Sequence, residues 1–535
     1  MATLLRANDA SCGACFQVTV YVISCGVPGG SCTIGLLFGS GDAHAGRLYP
    51  RRARSFGRHR TRRAAANVPT IDEGLFRARP GAGARRAAWR ECRHKLSPVR
   101  SSSPMCADVS RDALTAEDVR ILGLETARVA GHTLKVMVLE RGDELGVDEL
   151  REWVGARIDR LPRLTQRLDL QPDDGGPPSW VPDRDFDLAR HVRPGEAADT
   201  LSAAVAPIME RRLDRRAPLW SVELANGERE GRAVVLKVHH ALADGMGARR
   251  IASALLWDEE DPLPGSSPVT AEPSAVSHSR WAGVRHALGA LERELAPAAS
   301  PSALAQRVGP ARVVAFASVP LTALEPLKRA FTTRVTVNDL VLAATAGGLR
   351  RWLEHLHRPL QAMRVKVPVS LHRPDESPDA LGNADSFFFV DLPVTEPDPE
   401  RRLLAIARDC SARKRAGDAQ QLDTVFREIA GRSPAAGRAA VQWSMDPHVF
   451  TLNVSNVPGP RHPLRLCGRP LRAVYALAEV ADWHALRIAV FSACGTLTFG
   501  LCGDAERVRA LDTLAHEIGA EFTALSALTR GTPSR

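Results

Sequence analysis

A chain of 535 residues is too long for one ordinary hydrophobic core and calls for more than one domain. Its 44% hydrophobic and 25% charged residues exclude a wholly disordered or membrane-embedded protein. The net charge of +10 points to a nucleic-acid partner only until it is located: residues 1–104 hold 17 Lys+Arg against 5 Asp+Glu, and the remainder carries a net −2, so no nucleic-acid binding is expected of the folded body.

The leading segment has its own texture. Residues 47–63 and 77–100 are Arg-rich with no helical or strand period, and five of the ten cysteines (Cys12, Cys15, Cys25, Cys32, Cys92) lie in it. Cys12-Gly-Ala-Cys15 lacks the second pair that a zinc site needs, so no metal is expected. The apolar run 16–38 is broken by Gly26, Pro28, Gly29, Gly30 and Gly35, which argues against a membrane helix. Residues 1–104 are therefore expected to be a disordered or artefactual basic extension, with Met105 as the start of the folded protein. The other cysteines (Cys106, Cys410, Cys467, Cys494, Cys502) are scattered and odd in number, as suits a reducing compartment.

From Met105 the pattern is globular. Thr115, followed by Asp118 and an apolar run, reads as a helix N-cap with a capping box. A strand is expected over 133–140, and an amphipathic helix over 148–161 with Leu150, Val154 and Ile158 on one face. The β-branched stretch 232–240 reads as a buried strand, broken by Gly245 and Gly247 before a helix over 248–257. Residues 258–276, rich in Pro and Ser, form a linker, and a helix over 281–295 follows. Strands are expected over 312–319, 364–369, 387–392, 449–453, 485–491 and 496–501. Helices are expected over 338–355, capped by Asn338, and at the end of the chain with Leu514, Ile518, Phe522 and Leu525 in one stripe. Helices and strands thus alternate in two halves of similar size, which predicts a two-lobed α/β (α+β) protein with its site between the lobes.

The chemistry centres on His239-His240-Ala241-Leu242-Ala243-Asp244-Gly245 at the end of strand 232–240. Successive strand side chains point to opposite faces, so one imidazole enters a site and the other packs behind it. An imidazole is suited to take a proton from a hydroxyl near neutral pH. Asp244 is placed to hydrogen-bond or ion-pair back near the strand end, and Gly245 to let the chain turn sharply. The chain carries no GxSxG elbow, GxxxxGK[ST] loop or HExxH pair, and no histidine completes His516-Glu517. A base without a protein nucleophile points to direct attack by an activated substrate hydroxyl.

HHALADG resembles the signature of the wax ester synthase/diacylglycerol acyltransferase family, within the chloramphenicol acetyltransferase-like superfamily of CoA-dependent acyltransferases, and further segments agree in order. They are Leu114-Thr115 with Asp118; Trp180-Val181, Phe186-Asp187-Leu188 and His191-Val192; and Leu213 to Trp220, with Pro218-Leu219-Trp220 as the PLW motif. Asn338-Asp339 stands as the ND motif, followed by Val367 to Ser370, Leu381-Gly382-Asn383, and Ser455 to Pro460 as SNVPGP. The likeness runs over about residues 112–530. The stretch 475–484 and Ser492-Ala493 depart from the family pattern, which leaves substrate choice open.

The resemblance implies a two-lobed fold with the active site in a channel between lobes: an N-terminal lobe over 105–258 carrying HHxxxDG, a linker and crossover helix over 259–300, and a C-terminal lobe over 301–535. It implies transfer of a long-chain acyl group from acyl-CoA, as co-substrate and with no permanently bound cofactor, to diacylglycerol or a fatty alcohol. His240 would be the general base, His239 its support, and Asp244 the turn holder, paired with Arg216 or Arg249. Pro218, Leu219 and Trp220 would shape the lobe, Asn338 and Asp339 would cap a helix, and Asn456 or a nearby N–H would serve the oxyanion. Apolar substrates imply a cytoplasmic protein in peripheral contact with the inner membrane face or lipid droplets. A condensation-domain-like acyltransferase using a carrier-protein donor and a non-catalytic lipid-binding homologue are the competing readings; the intact histidines and Asp244 speak against the second.

Overall fold

The computed structural model of the chain describes residues 2–4, 16–23, 35–40, 111–142, 144–172, 175–259, 302–371, 381, 383 and 385–530. The chain divides into two compact units, Met1–Ser101 and Ser102–Arg535. The first contributes three strands, β1 (Ala2–Leu4), β2 (Phe16–Ile23) and β3 (Gly35–Ser40), in one antiparallel sheet. The rest of the segment expected to be disordered or artefactual lies outside the described residues, as does the helix expected over 281–295.

The first half of the second unit runs β4 (Asp112–Ala113), α1 (Ala116–Leu122), β5 (His132–Leu139), α2 (Val147–Gly155), β6 (Gln166–Asp169), β7 (Ser179–Pro182) and α3 (Leu188–His191). It continues through β8 (Val192–Ala198), α4 (Leu201–Glu210), β9 (Trp220–Gly227), β10 (Gly231–His239) and α5 (Gly245–Leu255). After the linker come β11 (Arg312–Pro320), α6 (Leu324–Ala330), α7 (Val337–His355), β12 (Met363–Ser370) and β13 (Asp385–Leu392). Three helices follow, α8 (Pro399–Ala416), α9 (Asp418–Arg432) and α10 (Pro434–Trp443). The chain then forms β14 (Leu452–Pro458), β15 (Arg465–Leu466), β16 (Arg469–Ala478), β17 (Leu486–Ala493), β18 (Thr496–Asp504) and α11 (Leu511–Arg530).

Two six-stranded sheets organise this unit, one in the order β15-β16-β5-β10-β9-β8 and the other β11-β18-β17-β14-β12-β13. In the first, β10 lies between β5 and β9, and both faces of its apolar run are buried, Ala233 and Val235 in one core and Val234, Leu236 and Val238 in the other. Strand β16, from the C-terminal half, pairs antiparallel with β5, so the sheet that carries the histidines is not built by the N-terminal half alone. Neither this strand nor the three helices before β14 are among the elements expected from the sequence.

In the second sheet β12–β14 and β14–β17 are parallel, and alternation divides each strand between two cores. Ile488 and Val490 of β17 pack with Val454, Val365 and the inner faces of α7 and α11, whereas Ala489 and Phe491 pack with the first half of the chain. Helix α11 presses so closely on α7 that a Cβ on Gly348 would stand 2.6 Å from Ile518. The predicted stripe of Leu514, Ile518, Phe522 and Leu525 is fully buried there.

Four sequence expectations are corrected at element ends. Helix α2 stops at Gly155, before Pro162, and 3₁₀ turns at Ile158–Arg160 and Pro162–Thr165 take over. The strand expected over 449–453 is β14, Leu452–Pro458, because Val449 and Phe450 belong to a preceding turn. The helix after Gly245 begins there and not at 248, since Asp244 supplies its cap. Asn338 is not the N-cap of α7: Thr336 is, its hydroxyl accepting from the Asp339 N–H while the Asp339 carboxylate accepts from the Thr336 N–H at 2.8 Å. The Thr115–Asp118 capping box is found as expected, since such motifs are set by four consecutive residues.

Candidate active site

Strand β10 ends at the two histidines, and alternation sends them to different surroundings. The His239 N–H donates to the Leu219 carbonyl at 3.0 Å, continuing the ladder, while the His240 N–H donates to the Gly131 carbonyl at 2.9 Å. His239 is buried, and its Nδ1 accepts from the Ala241 N–H at 3.0 Å, which places the proton on Nε2. That Nε2–H donates to Glu125, whose other carboxylate oxygen is held by Arg215 at 2.7 Å and Arg212 at 3.5 Å. Burial raises the Glu125 carboxyl pKa, but His239 and Arg215 outweigh it and hold the group below its ordinary value. Gly131, at φ +66°, lets this pair form, because a Cβ there would stand 3.1 Å from His239 Nε2.

His240 is the opposite case. Its Nε2 is buried with no hydrogen-bond partner among the described residues. Burial, followed by the charge of Arg487, pushes its pKa down to about 3, so the ring is neutral at physiological pH and its lone pair is available. Its carbonyl accepts from Asn383 Nδ2 at 2.9 Å, and the same amide reaches Asp118 Oδ1 at 3.3 Å. A residue from the second half of the chain thereby fixes the backbone of the histidine to the first helix.

Beyond the histidines the chain turns, with the Leu242 N–H donating to the His239 carbonyl at 2.9 Å. Asp244 caps α5, its Oδ1 accepting from the Met246 N–H at 3.0 Å and the Gly247 N–H at 2.8 Å. Gly245 is required for a reason other than a left-handed turn: a Cβ there would lie 3.0 Å from Val457 Cγ2, so its absence brings the Ser455–Pro460 stretch against the turn. Arg249 secures the same approach by donating to the Pro458 carbonyl at 2.9 Å. Arg216, one of the two arginines expected beside Asp244, is instead 92% exposed and paired with Asp214.

The other predicted residues fall where packing, not chemistry, uses them. Trp220 opens β9, donates its indole N–H to the Leu164 carbonyl at 2.7 Å, and stacks on His191 at 4.7 Å. Leu219 is buried and offers the carbonyl that holds His239, and Pro218 shapes the strand entry. Asn338 lies in the first turn of α7, where Asp339 completes the cap. Asn456 pairs in register with Val490 and alternates onto the face of Leu452 and Val454, whereas Asn453, Ser455 and Val457 take the face turned toward Gly245. Asn456 therefore stands on the face of β14 opposite Asn453, Ser455 and Val457.

Glu125, Arg212, Arg215, Asn383 and Arg487 were not among the sequence-derived site residues. Glu125 is 114 positions before its histidine, and no local pattern marks it. Arg487 had a signal: an arginine between Leu486 and Ile488 in an otherwise apolar strand is costly to bury without a purpose. Among the described residues no group of three His, Cys, Asp or Glu side chains is placed to hold a metal ion.

The family descriptions "wax ester synthase/diacylglycerol acyltransferase catalytic domain" and "WS/DGAT C-terminal domain" match residues 114–296 and 381–526. A probable diacylglycerol O-acyltransferase of Mycobacterium tuberculosis, tgs1, is 32% identical over 408 residues, covering 70% of this chain and 87% of the relative. Among solved structures, the wax ester synthase/diacylglycerol acyltransferase from Marinobacter aquaeolei VT8 superposes with a TM-score of 0.59 at 23% identity, covering 78% of this chain and all 100% of that one. The first condensation domain of the CDA synthetase superposes with a TM-score of 0.51 at 16% identity, over 79% of this chain and 97% of the other. The two superpositions show the expected two-lobed chloramphenicol acetyltransferase-like fold.

Proposed function

The chain belongs to the wax ester synthase/diacylglycerol acyltransferase family and is an acyltransferase, and on that premise we propose that it moves a long-chain acyl group from acyl-CoA to the hydroxyl of diacylglycerol or a fatty alcohol, with His240 as general base. The observation that carries this reading is the neutral, buried and unpartnered Nε2 of His240. A polar atom in such a place lacks a hydrogen-bond partner that a substrate hydroxyl would supply. As the hydroxyl oxygen attacks the thioester carbon, its proton passes to Nε2. The C–S bond then breaks and the departing thiolate takes that proton, leaving ester and free CoA. No covalent enzyme intermediate is required.

The surrounding residues act on geometry. Glu125 holds the His239 tautomer, His239 fixes the strand end, and Asp244 fixes the turn, so that His240 is presented without reorganisation. Acyl-CoA enters as co-substrate, with no permanently bound cofactor. No helix among the described residues is long and apolar enough to cross a membrane. Delivery of apolar substrates is assigned to peripheral contact with a cytoplasmic membrane face or lipid-droplet surface.

The test is CoA release from palmitoyl-CoA by the full-length protein with diacylglycerol, hexadecanol or a short alcohol as acceptor. Release is expected with a lipid acceptor, falling at least about a hundredfold in His240→Ala with its unfolding temperature preserved. Equal turnover by that folded variant would sink the mechanism.

A further inference from the structure

A cleft of about 330 Å³ opens at the β8 edge of the first sheet, where α3 and the start of β8 meet the loop 211–218 and the first residues of β9. Arg190, His191 and Arg193 line it from the first stretch, Arg212 and Asp214 from the loop, and the buried Trp220 from β9. Helix α3 is a single turn capped by Asp187, so these arginines come off a chain that passes at once from helix into strand. The His191 Nδ1–H donates to the Trp220 carbonyl at 2.8 Å and its ring stacks on the indole, which ties one wall to the other.

The walls are short of anions. Arg190 is exposed and makes no ion pair among the described residues. Arg193 meets the buried Glu223 at 2.9 Å, but Arg211 shares that carboxylate at 2.8 Å, and Arg193 Nε is buried with no hydrogen-bond partner among the described residues. Arg212 reaches Glu125 at 3.5 Å, a carboxylate already engaged by His239 and by Arg215 at 2.7 Å. Glu223 and Glu125 thus each serve two guanidinium groups, and positive charge is left over in the cleft. His191 responds to it: burial, with the charges of Arg190 and Arg193, holds its pKa below the ordinary value although the Trp220 carbonyl and Asp183 pull the other way.

Acceptors stand beside these donors. With Nδ1–H committed to Trp220, a neutral His191 keeps Nε2 as an acceptor that has no partner among the described residues. Asp214 accepts from the Arg216 N–H at 2.9 Å, which helps to hold its carboxyl below the ordinary value and so ionised. Guanidinium groups suit phosphate oxygens, whereas an imidazole nitrogen and a carboxylate suit hydroxyl donors. Both sets in one cleft match a phosphate that carries a polyol.

We propose that this cleft docks the headgroup of an anionic phospholipid whose phosphate bears hydroxyl groups, as in phosphatidylglycerol, and so holds the enzyme on the lipid surface that supplies its apolar substrates. This rests on the peripheral contact proposed above and names the surface and the lipid class for it. The phosphate lies among Arg190, Arg193 and Arg212, and the headgroup hydroxyls donate to Asp214 and His191 Nε2. Arg216, 92% exposed on the same loop, adds attraction to an anionic surface. The acyl chains stay in the bilayer, and the chemistry at His240 needs no group from the cleft.

The test is cosedimentation of the full-length protein with phosphatidylcholine vesicles that contain equal shares of either phosphatidylglycerol or phosphatidylmethanol, which has the same charge and no headgroup hydroxyl. The basic segment 1–104 is drawn to both alike, so the difference between them reports the cleft. The parent protein is expected to bind phosphatidylglycerol vesicles about fivefold more tightly, the worth of one net hydrogen bond. Arg190→Glu and Asp214→Asn, both at exposed positions, are each expected to bring that ratio toward one. Equal binding of the two vesicles by the parent, or a ratio unmoved in both variants, would overturn the proposal. Calorimetric binding of free glycerol 3-phosphate with no preference between vesicles would assign the cleft to a soluble phosphate ester and overturn lipid docking. Failure of the acyl transfer is separate, since it shows as absence of CoA release with every acceptor, whereas vesicle binding needs no turnover and decides the cleft alone.

Discussion

Two regions on either side of the end of β10 hold similar groups in opposite states. Behind the strand, His239, Glu125, Arg215 and Arg212 satisfy one another, every charge facing a partner. In front of it, His240, Arg487, Asn453 and Lys366 each carry a polar atom with no strong partner among the described residues. The first arrangement is complete without substrate and gives rigidity. The second leaves polar atoms unpaired among the described residues, and it is the side on which a ligand has bonds left to make.

That contrast can be broken experimentally. The largest effect is expected far from both regions, at Glu521, which lies fully buried between Arg402 and Arg351. Glu521→Ala leaves Arg402 buried without its anion and should lower unfolding stability by about 3–5 kcal/mol in denaturant titration. A smaller loss would mean that Arg402 finds other acceptors.

Glu125→Gln removes the charge that holds Arg215 and weakens the bond to His239, so it should cost about 1–3 kcal/mol in stability. If Glu125 is a positioning residue, kcat should fall with KM little changed. A loss confined to stability would leave it purely structural.

Arg487→Gln tests the open side through pH. A base works when unprotonated, so activity is lost as pH falls through its pKa. Because burial and Arg487 depress His240 to about 3, activity should persist well below the ordinary histidine range. Removing the guanidinium raises that pKa, and the acidic limb of kcat should move to higher pH, by up to about one unit. An unmoved limb would show that Arg487 does not act on His240.

The smallest effect is the most diagnostic in sign. Lys366→Met replaces an ammonium lacking an ion-pair partner among the described residues with an apolar chain of similar length, and should raise the unfolding temperature, by roughly 1 kcal/mol of stability. A lower temperature would reveal a partner for Lys366 and remove the contrast.

Features settled by a few consecutive residues were legible before any coordinates. The Thr115–Asp118 capping box, the β-branched strand into the histidines, the alternation that separates His239 from His240, and the buried stripe of the last helix all follow from periods of two and 3.6 residues and from local hydrogen bonds. The family motifs were legible for the same reason: they are short and contiguous. What remained hidden was every relation that joins distant stretches. Glu125 meets His239 only because β5 and β10 pair, Asn383 reaches the His240 carbonyl from the other half of the chain, and β16 joins the first sheet from beyond residue 465. The face that Asn456 takes was hidden as well, because face assignment depends on strand register, which one residue of shift inverts. Lys366, Asn453 and Arg487 likewise stand at no meaningful spacing along the chain and become neighbours through two parallel pairings. The separation of His239 from His240 was written in local geometry, whereas the partners of each histidine were set by which strands the core's apolar burial brought together.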